Sequence, residues 1–138
     1  MDTKPIIDKI FGLAKHCYLP ATKRNKEIQY LAYNSNTPLT KNDYGLFEPD
    51  IDTANPCAIT QLDLVITPLV LFDKHCHRVG WGYGYYDRTF SFLKNRDKPK
   101  KPFLLGIAYE LQKQEYLQPA PWDVSLDAVL TETAIYTA

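Results

Sequence analysis

Three glycines alternate with Trp81 and Tyr83 in the second half of this 138-residue chain. Glycine adopts backbone conformations closed to other residues and lets main-chain N–H groups approach an anion closely. A helix is predicted directly after the glycines, and N–H groups at a helix N-terminus favour bound phosphate oxygens. We therefore expect a nucleotide-phosphate site in the run Arg78, Val79, Gly80, Trp81, Gly82, Tyr83, Gly84, Tyr85 and Tyr86.

Two charged residues belong to the same motif. Asp87 falls in the first turn of the predicted helix, where a carboxylate suits a magnesium ion held mainly by phosphate and water. Arg78 is placed to contact phosphoryl oxygens as charge redistributes during transfer. The competing interpretation is that the glycines only form a tight turn and Asp87 only caps the helix. The glycine spacing matches neither G-x-x-x-x-G-K-[ST] nor G-x-G-x-x-G, so the residues alone leave both interpretations open.

The sequence His75-Cys76-His77 resembles a metal-binding motif, but it offers too few convergent ligands. A stable transition-metal site needs about three or four ligands, and alternate residues of a hairpin supply at most two. A Cys-His nucleophile pair is disfavoured as well, since adjacent residues of an extended turn point apart. We expect a solvent-exposed turn before Arg78.

The overall composition narrows the class of protein. Lys plus Arg and Asp plus Glu number sixteen each, so no net positive field attracts a nucleic-acid backbone. The longest apolar runs fall far short of the roughly 20 residues that span a bilayer, and no secretory signal is recognised, which predicts a cytoplasmic protein. Three cysteines without a CxxC spacing predict free thiols. The length suits a single domain covering residues 1–138.

The elements that must position the glycine run alternate between strands and helices. We predict a helix to about Lys15, strands at 17–20 and 27–33, and a long loop from Asn34 to Thr60. Apolar runs at 62–67 and 103–108 predict neighbouring strands covered on both faces, with a helix at 85–94 between them and a further strand at 128–131. The basic cluster from Lys94 to Lys101 is interpreted as a solvated connection. This order predicts an α/β fold with a mainly parallel sheet.

Several collinear segments of the chain resemble the 5-formyltetrahydrofolate cyclo-ligase family, also called methenyltetrahydrofolate synthetases. The most specific is the run from Arg78 through Gly80, Gly82 and Gly84 to Asp87 and Arg88. The others are individually weaker and keep the family's order: Asp2-Thr3, Tyr18-Leu19-Pro20, Gly45-Leu46-Phe47-Glu48-Pro49, Asp63-Leu-Val-Ile-Thr-Pro, Phe72-Asp73, Leu105-Gly106-Ile107-Ala108-Tyr109 with Gln112, Trp122-Asp123 and Leu126-Asp127-Ala128-Val129-Leu130-Thr131-Glu132.

This resemblance implies a three-layer α/β/α sandwich and a reaction. It implies conversion of 5-formyltetrahydrofolate to 5,10-methenyltetrahydrofolate with ATP and magnesium, through phosphorylation of the formyl oxygen. It also implies that residues 78–86 line the ATP site, that residues 81–85 approach the reduced folate, and that Asp87 and Asp127 bind Mg²⁺. Tyr85 and Tyr86 can equally be packing residues.

The chain departs from the family pattern at three places. Nothing before Met1 supplies the cationic helix usual in the family, and Met1 stands where a folate-binding Glu is usual. Leu69 and Leu71 stand where smaller residues are usual. These departures predict weak Mg-ATP binding, slow turnover and homodimerisation through uncovered apolar surface. The alternative function is a catalytically impaired nucleotide- or folate-binding protein.

Overall fold

A computed structural model describes residues 1–94 and 101–138. The chain forms two compact units, one made of Met1–Arg24 and Ile28–Ile59 and the other of Asn25–Glu27 and Thr60–Ala138. A single domain covering residues 1–138 stays a prediction. Most of the predicted basic connection, residues 95–100, lies outside the described residues.

The first unit contains one helix and two small antiparallel sheets. Its elements are α1 (Lys4–Gly12), β1 (Cys17–Thr22), β2 (Ile28–Tyr33), β3 (Leu39–Lys41), β4 (Phe47–Pro49) and β5 (Pro56–Cys57). The strand order is β1-β2-β5 in one sheet, and β3 pairs with β4 in the other. The predicted helix and both predicted strands are therefore present, although α1 ends at Gly12 rather than near Lys15.

Two expectations for this unit were wrong in detail. Pro20 does not end β1, which continues to Thr22; β1 is an edge strand, where a residue without an N–H is tolerated. The segment from Asn34 to Thr60 is not one long loop, because it holds β3, β4 and β5. These strands have two or three residues each, too few to show a period in the sequence.

The second unit carries the predicted parallel strands. Its elements are β6 (Leu64–Thr67), β7 (Leu71–Asp73), β8 (Arg78–Val79), α2 (Tyr85–Thr89), β9 (Phe103–Ile107), β10 (Lys113–Gln114), β11 (Ala128–Leu130) and β12 (Ile135–Thr137), with 3-10 turns at Ser91–Leu93 and Glu110–Gln112. One sheet has the order β12-β11-β9-β6, in which β9 pairs in parallel with β6 and β11. A second, smaller sheet has the order β10-β7-β8.

The neighbouring position of β6 and β9 is as predicted, and the fold is mixed α/β with parallel strands. The predicted helix from 85 to 94 is shorter than expected. It consists of the five-residue α2 followed by a 3-10 turn at Ser91–Leu93. A helix of little more than one turn aligns few peptide dipoles, so the expected contribution of its N-terminus to anion binding is small.

The two faces of the four-stranded sheet differ in burial. Residues in register share a face, and Val65, Leu104 and Val129 lie on a buried face. Gly106 lies on that face because there is no room for a side chain; a Cβ would lie 2.7 Å from Cδ atoms of Leu69 and Leu126. The opposite face exposes four large apolar side chains: Leu64, Phe103, Leu130 and Ile135. The expectation that the strands are covered on both faces was therefore wrong.

Candidate functional site

The glycine run forms an open loop between β8 and α2. Gly82 and Gly84 have φ values of 91° and 72°, in the left-handed region that favours glycine. Trp81 and Tyr83 point outward, and 79% of the Trp81 surface is exposed. The loop therefore combines glycines in the left-handed region with exposed aromatic rings.

The two remaining aromatic residues of the motif lie at the start of α2. The Tyr85 ring is 6.4 Å from that of Tyr83, and the Tyr86 ring stacks on Phe90 at 6.3 Å. Both tyrosines are half-buried. Both tyrosines therefore have a packing role, and each keeps part of its surface exposed.

The structure brings Arg78 and Asp87 together. Arg78 Nη2 donates to Asp87 Oδ1 at 3.0 Å, and the guanidinium lies 5.8 Å from the centre of the Tyr86 ring. The Arg78 side chain is only 7% exposed, and its Nε is buried without a hydrogen-bond partner in the described part of the chain. Its charge is thus directed at Asp87, whereas the sequence motif predicted a contact with phosphoryl oxygens.

Asp87 also connects the loop to a distant segment. Its Oδ1 accepts a second hydrogen bond, at 3.0 Å, from the backbone N–H of Val124. The other oxygen, Oδ2, makes no hydrogen bond within the described residues, and the side chain is 19% exposed. One carboxylate oxygen is therefore structural, and the second is available to a ligand.

Asp127, the other predicted magnesium ligand, directly precedes β11. Its Oδ2 accepts a hydrogen bond from Leu104 N at 2.7 Å, and its own N–H donates to Leu104 O. Because Val124 is bonded to Asp87 and lies three residues before Asp127, the two anchoring points are at most about 11 Å apart along the chain. Among residues 1–94 and 101–138, no group of three or more His, Cys, Asp and Glu side chains converges as a metal site.

Arg88 is a component of this site for which no binding role was predicted from the sequence. Its Nη1 donates to Tyr83 O at 2.7 Å, and a Cβ on Gly84 would lie 3.1 Å from the same nitrogen. The side chain is exposed. The signal was available in the sequence as a positive charge immediately after Asp87. Val124, by contrast, contributes only a backbone N–H and leaves no sequence signal.

The turn before Arg78 is built around a buried carboxylate. Asp73 Oδ1 accepts the N–H groups of His75 and His77, and Oδ2 accepts the N–H of Leu117 and pairs with His77 Nδ1 at 2.9 Å. Burial alone would raise the pKa of Asp73, but hydrogen bonds from Leu117 and His77 outweigh it and lower that pKa. The residue therefore fixes the approach to β8 as a charged anchor.

Cys76 differs from the expected solvent-exposed turn. Lys74 and His75 are exposed, but Cys76 is fully buried and has a φ of 64°. Burial, followed by the nearby charge of Asp73, raises the pKa of its thiol to about 11. This protonated, buried thiol is unsuited to nucleophilic or metal-binding chemistry.

Enclosed space near the loop is small. A cavity of about 20 Å³ lies beside Arg78 and is lined also by His77 and Asp123. That volume accommodates about one water molecule, whereas ligand pockets begin at about 300 Å³. The candidate site of the second unit is therefore an open surface around the glycine loop.

Comparison with known proteins assigns a family. The family model described as "5-formyltetrahydrofolate cyclo-ligase family" matches residues 1–132. The chain is 35% identical to the 5-formyltetrahydrofolate cyclo-ligase of Haemophilus influenzae, over 94% of this chain and 68% of that protein. It is 34% identical to the protein of the same name from Escherichia coli K12, over 99% of this chain and 74% of that protein.

A solved structure agrees with these sequence matches. The NMR structure of Aquifex aeolicus 5,10-methenyltetrahydrofolate synthetase superposes with a TM-score of 0.78 and 28% identity, covering 99% of this chain and 65% of that one. The chain thus spans about two thirds of the length of this structure and of the Haemophilus relative. No helix among the described residues is long and apolar enough to cross a membrane. The chain belongs to the 5-formyltetrahydrofolate cyclo-ligase family.

Proposed function

We propose that this chain converts 5-formyltetrahydrofolate to 5,10-methenyltetrahydrofolate with ATP as co-substrate. The observation that carries the proposal is the exposed glycine loop from Gly80 to Gly84, held beside Asp87, within a segment that matches the family model. The loop and its flanks, residues 78–86, would line the ATP site, and residues 81–85 would also approach the folate. The named relatives favour this enzyme function over a catalytically impaired binding protein.

The proposed chemistry explains why a phosphate-binding loop is needed. The formyl oxygen is a poor leaving group, so it first attacks the γ-phosphorus of ATP and ADP departs. The folate N10 then attacks the formyl carbon and loses its proton, and the C–O bond to the phosphorylated oxygen breaks to release phosphate. The protein must mainly position the reactants and neutralise phosphate charge. Backbone N–H groups of this glycine loop suit that role, and the space around Gly82 is open, since a Cβ there would meet nothing within 4 Å.

Magnesium is part of the proposal, and the residues present fit it. Mg²⁺ commonly takes one or two protein carboxylates together with phosphate oxygens and water. Asp87 offers its Oδ2, which makes no hydrogen bond within the described residues. Asp127 is the second proposed ligand, held by Leu104. When bound, the ion would neutralise phosphate charge and orient the polyphosphate.

The finer architecture also remains a proposal. One face of the four-stranded sheet exposes the large side chains of Leu64, Phe103, Leu130 and Ile135. A sheet face that exposes several large apolar side chains is often covered by another layer or a partner. We propose that a further layer covers this face in a three-layer α/β/α sandwich, or that a second copy covers it in a homodimer, and that the protein works in the cytoplasm. Light scattering of Phe103→Glu and of the parent chain tests the dimer, which this substitution would dissociate.

The activity is tested by following methenyltetrahydrofolate absorbance after 5-formyltetrahydrofolate is mixed with the chain, ATP and Mg²⁺. We expect product formation that stops when either ATP or Mg²⁺ is left out. Asp87→Asn should reduce the rate by at least about tenfold, because a charged ligand is lost. Asp52→Asn, an exposed carboxylate in the first unit, is the matched control. Equal rates in the Asp87 variant and the parent, or no ATP-dependent product from the parent, would contradict the proposal.

A further inference from the structure

Two arginines contact the glycine loop, and they differ in whether a carboxylate neutralises their charge. Arg78 is buried and ion-paired with Asp87, with Nη2 and Oδ1 separated by 3.0 Å. A Cβ on Gly80 would lie 3.1 Å from Arg78 Nη1, so the guanidinium packs directly against the loop backbone. The positive charge of Arg78 is thus already matched by a carboxylate.

Arg88 has the opposite character. It is exposed, and it forms no ion pair within residues 1–94 and 101–138. Its hydrogen bond to Tyr83 O, at 2.7 Å, fixes the guanidinium against the loop. A guanidinium has five N–H donors, so this single bond leaves most of them for a ligand. Arg88 is therefore a pre-positioned cation whose charge is not matched by a protein carboxylate in the described structure.

The glycine at position 84 belongs to the same arrangement. A Cβ there would lie 3.1 to 3.4 Å from three atoms of the Arg88 guanidinium. A larger residue would push the arginine away from the loop, besides being strained at a φ of 72°. The loop geometry and the position of the exposed cation thus depend on each other.

We propose that Arg88 is the arginine that binds the anionic substrate at the Gly80–Gly84 loop, and that Arg78 is a positioning residue that holds Asp87. The ligand class is a polyphosphate, because a planar guanidinium can bind two phosphate oxygens at once. Arg78 acts through Asp87 on the metal ion and makes no direct contact with phosphate. This assignment rests on the proposed ATP-dependent function of the same loop.

The test is isothermal titration calorimetry of the whole chain with two probes, Mg-ATP and magnesium-free tripolyphosphate. Arg88→Ala should weaken binding of both probes by about 10- to 100-fold, the loss expected for one charge-assisted contact. Arg88→Lys should recover part of that loss. Arg24→Ala, which removes an exposed arginine from the first unit, is the matched control for net charge and should leave both affinities unchanged.

Arg78→Lys gives the complementary readout. It should raise the Mg²⁺ concentration needed for half-maximal ATP binding, while tripolyphosphate affinity stays within about twofold of the parent. Thermal unfolding shows that each variant is folded. If the parent binds both probes and Arg88→Ala binds them equally well, the Arg88 assignment is overturned while the proposed function stands. If the parent binds neither probe, both the Arg88 assignment and the proposed ATP-dependent function are overturned.

Discussion

Arg78 and Asp87 form an ion pair across the glycine loop, with Nη2 and Oδ1 separated by 3.0 Å and the arginine side chain only 7% exposed. They are nine positions apart in the sequence. The pair closes the loop at its base, and Val124 N adds a third member from another segment. It therefore links the proposed metal ligand to the stability of the second unit.

Breaking this pair from the aspartate side should destabilise the protein. Asp87→Ala leaves the buried guanidinium of Arg78 without a charge partner, so we expect the free energy of unfolding in urea to fall by about 3 kcal/mol. Removing both charges, in Arg78→Met with Asp87→Ala, should cost less than the sum of the single changes. Additive losses would show that the two residues are not coupled.

Gly82 can be compared with a glycine that has no conformational constraint. A Cβ on Gly82 meets nothing within 4 Å, so Gly82→Ala tests only its φ of 91°. We expect about 1 kcal/mol lower unfolding free energy and weaker Mg-ATP binding. Gly12→Ala, at the end of α1 with equally open space, is the control and should not lower stability. Equal effects at the two positions would refute this reasoning.

Gly106→Ala should overpack the buried face of the sheet. The new Cβ would lie 2.7 Å from the Cδ atoms of both Leu69 and Leu126, which forces a shift costing about 1 to 3 kcal/mol in urea unfolding. Adding Leu69→Ala should relieve the clash with Leu69 and leave the one with Leu126. The double variant should therefore lose less stability than the sum of the losses measured for the two single variants. A purely additive pair would mean that the sheet absorbs the methyl group elsewhere.

Glu110 should make the free energy of unfolding depend on pH in the acidic range. Its Oε1 accepts the Tyr136 hydroxyl at 2.5 Å and its Oε2 accepts the Thr131 hydroxyl at 2.8 Å. These bonds, with one from Lys113, lower the pKa of Glu110 from 4.5 to about 2. The unfolded chain binds the proton more tightly, so the stabilisation is complete above about pH 4.5 and is lost as the pH falls towards 2.

Urea unfolding measured between pH 5 and pH 2 checks this dependence. Glu110→Gln should flatten the decline in that range, because no proton is taken up at this position. The control is Glu115→Gln, an exposed carboxylate that should leave the slope unchanged. The same slope in the parent and in Glu110→Gln would contradict the prediction.

Thiol reactivity should separate the three free cysteines into two groups. Cys17 and Cys76 are buried, and burial raises the pKa of both thiols, that of Cys76 to about 11. Cys57 is half-buried. Ellman's reagent at pH 8 should therefore modify one thiol quickly and two only on unfolding. Cys57→Ser should abolish the fast reaction; a fast reaction that persists would show that one of the buried thiols opens readily.

The sequence by itself determined the family, the neighbouring strands β6 and β9, and the place of the glycine loop. These features are local: apolar runs mark strands of a parallel sheet, and glycines mark positions that need φ above zero, as Gly82 and Gly84 do. Composition and cysteine spacing likewise predicted three free thiols, which the structure contains.

Only the tertiary structure decided how the charges of the loop are used. Arg78 is buried against Asp87 and beside the Tyr86 ring, and Asp87 is also held by the backbone N–H of Val124, 37 positions further along the chain, whereas Arg88 is exposed. The exposed face of the sheet could not be predicted from the local sequence either, since Leu64 and Phe103 are as apolar as the buried Val65 and Leu104. Burial is set by what packs against a residue, and that depends on contacts between segments far apart in sequence.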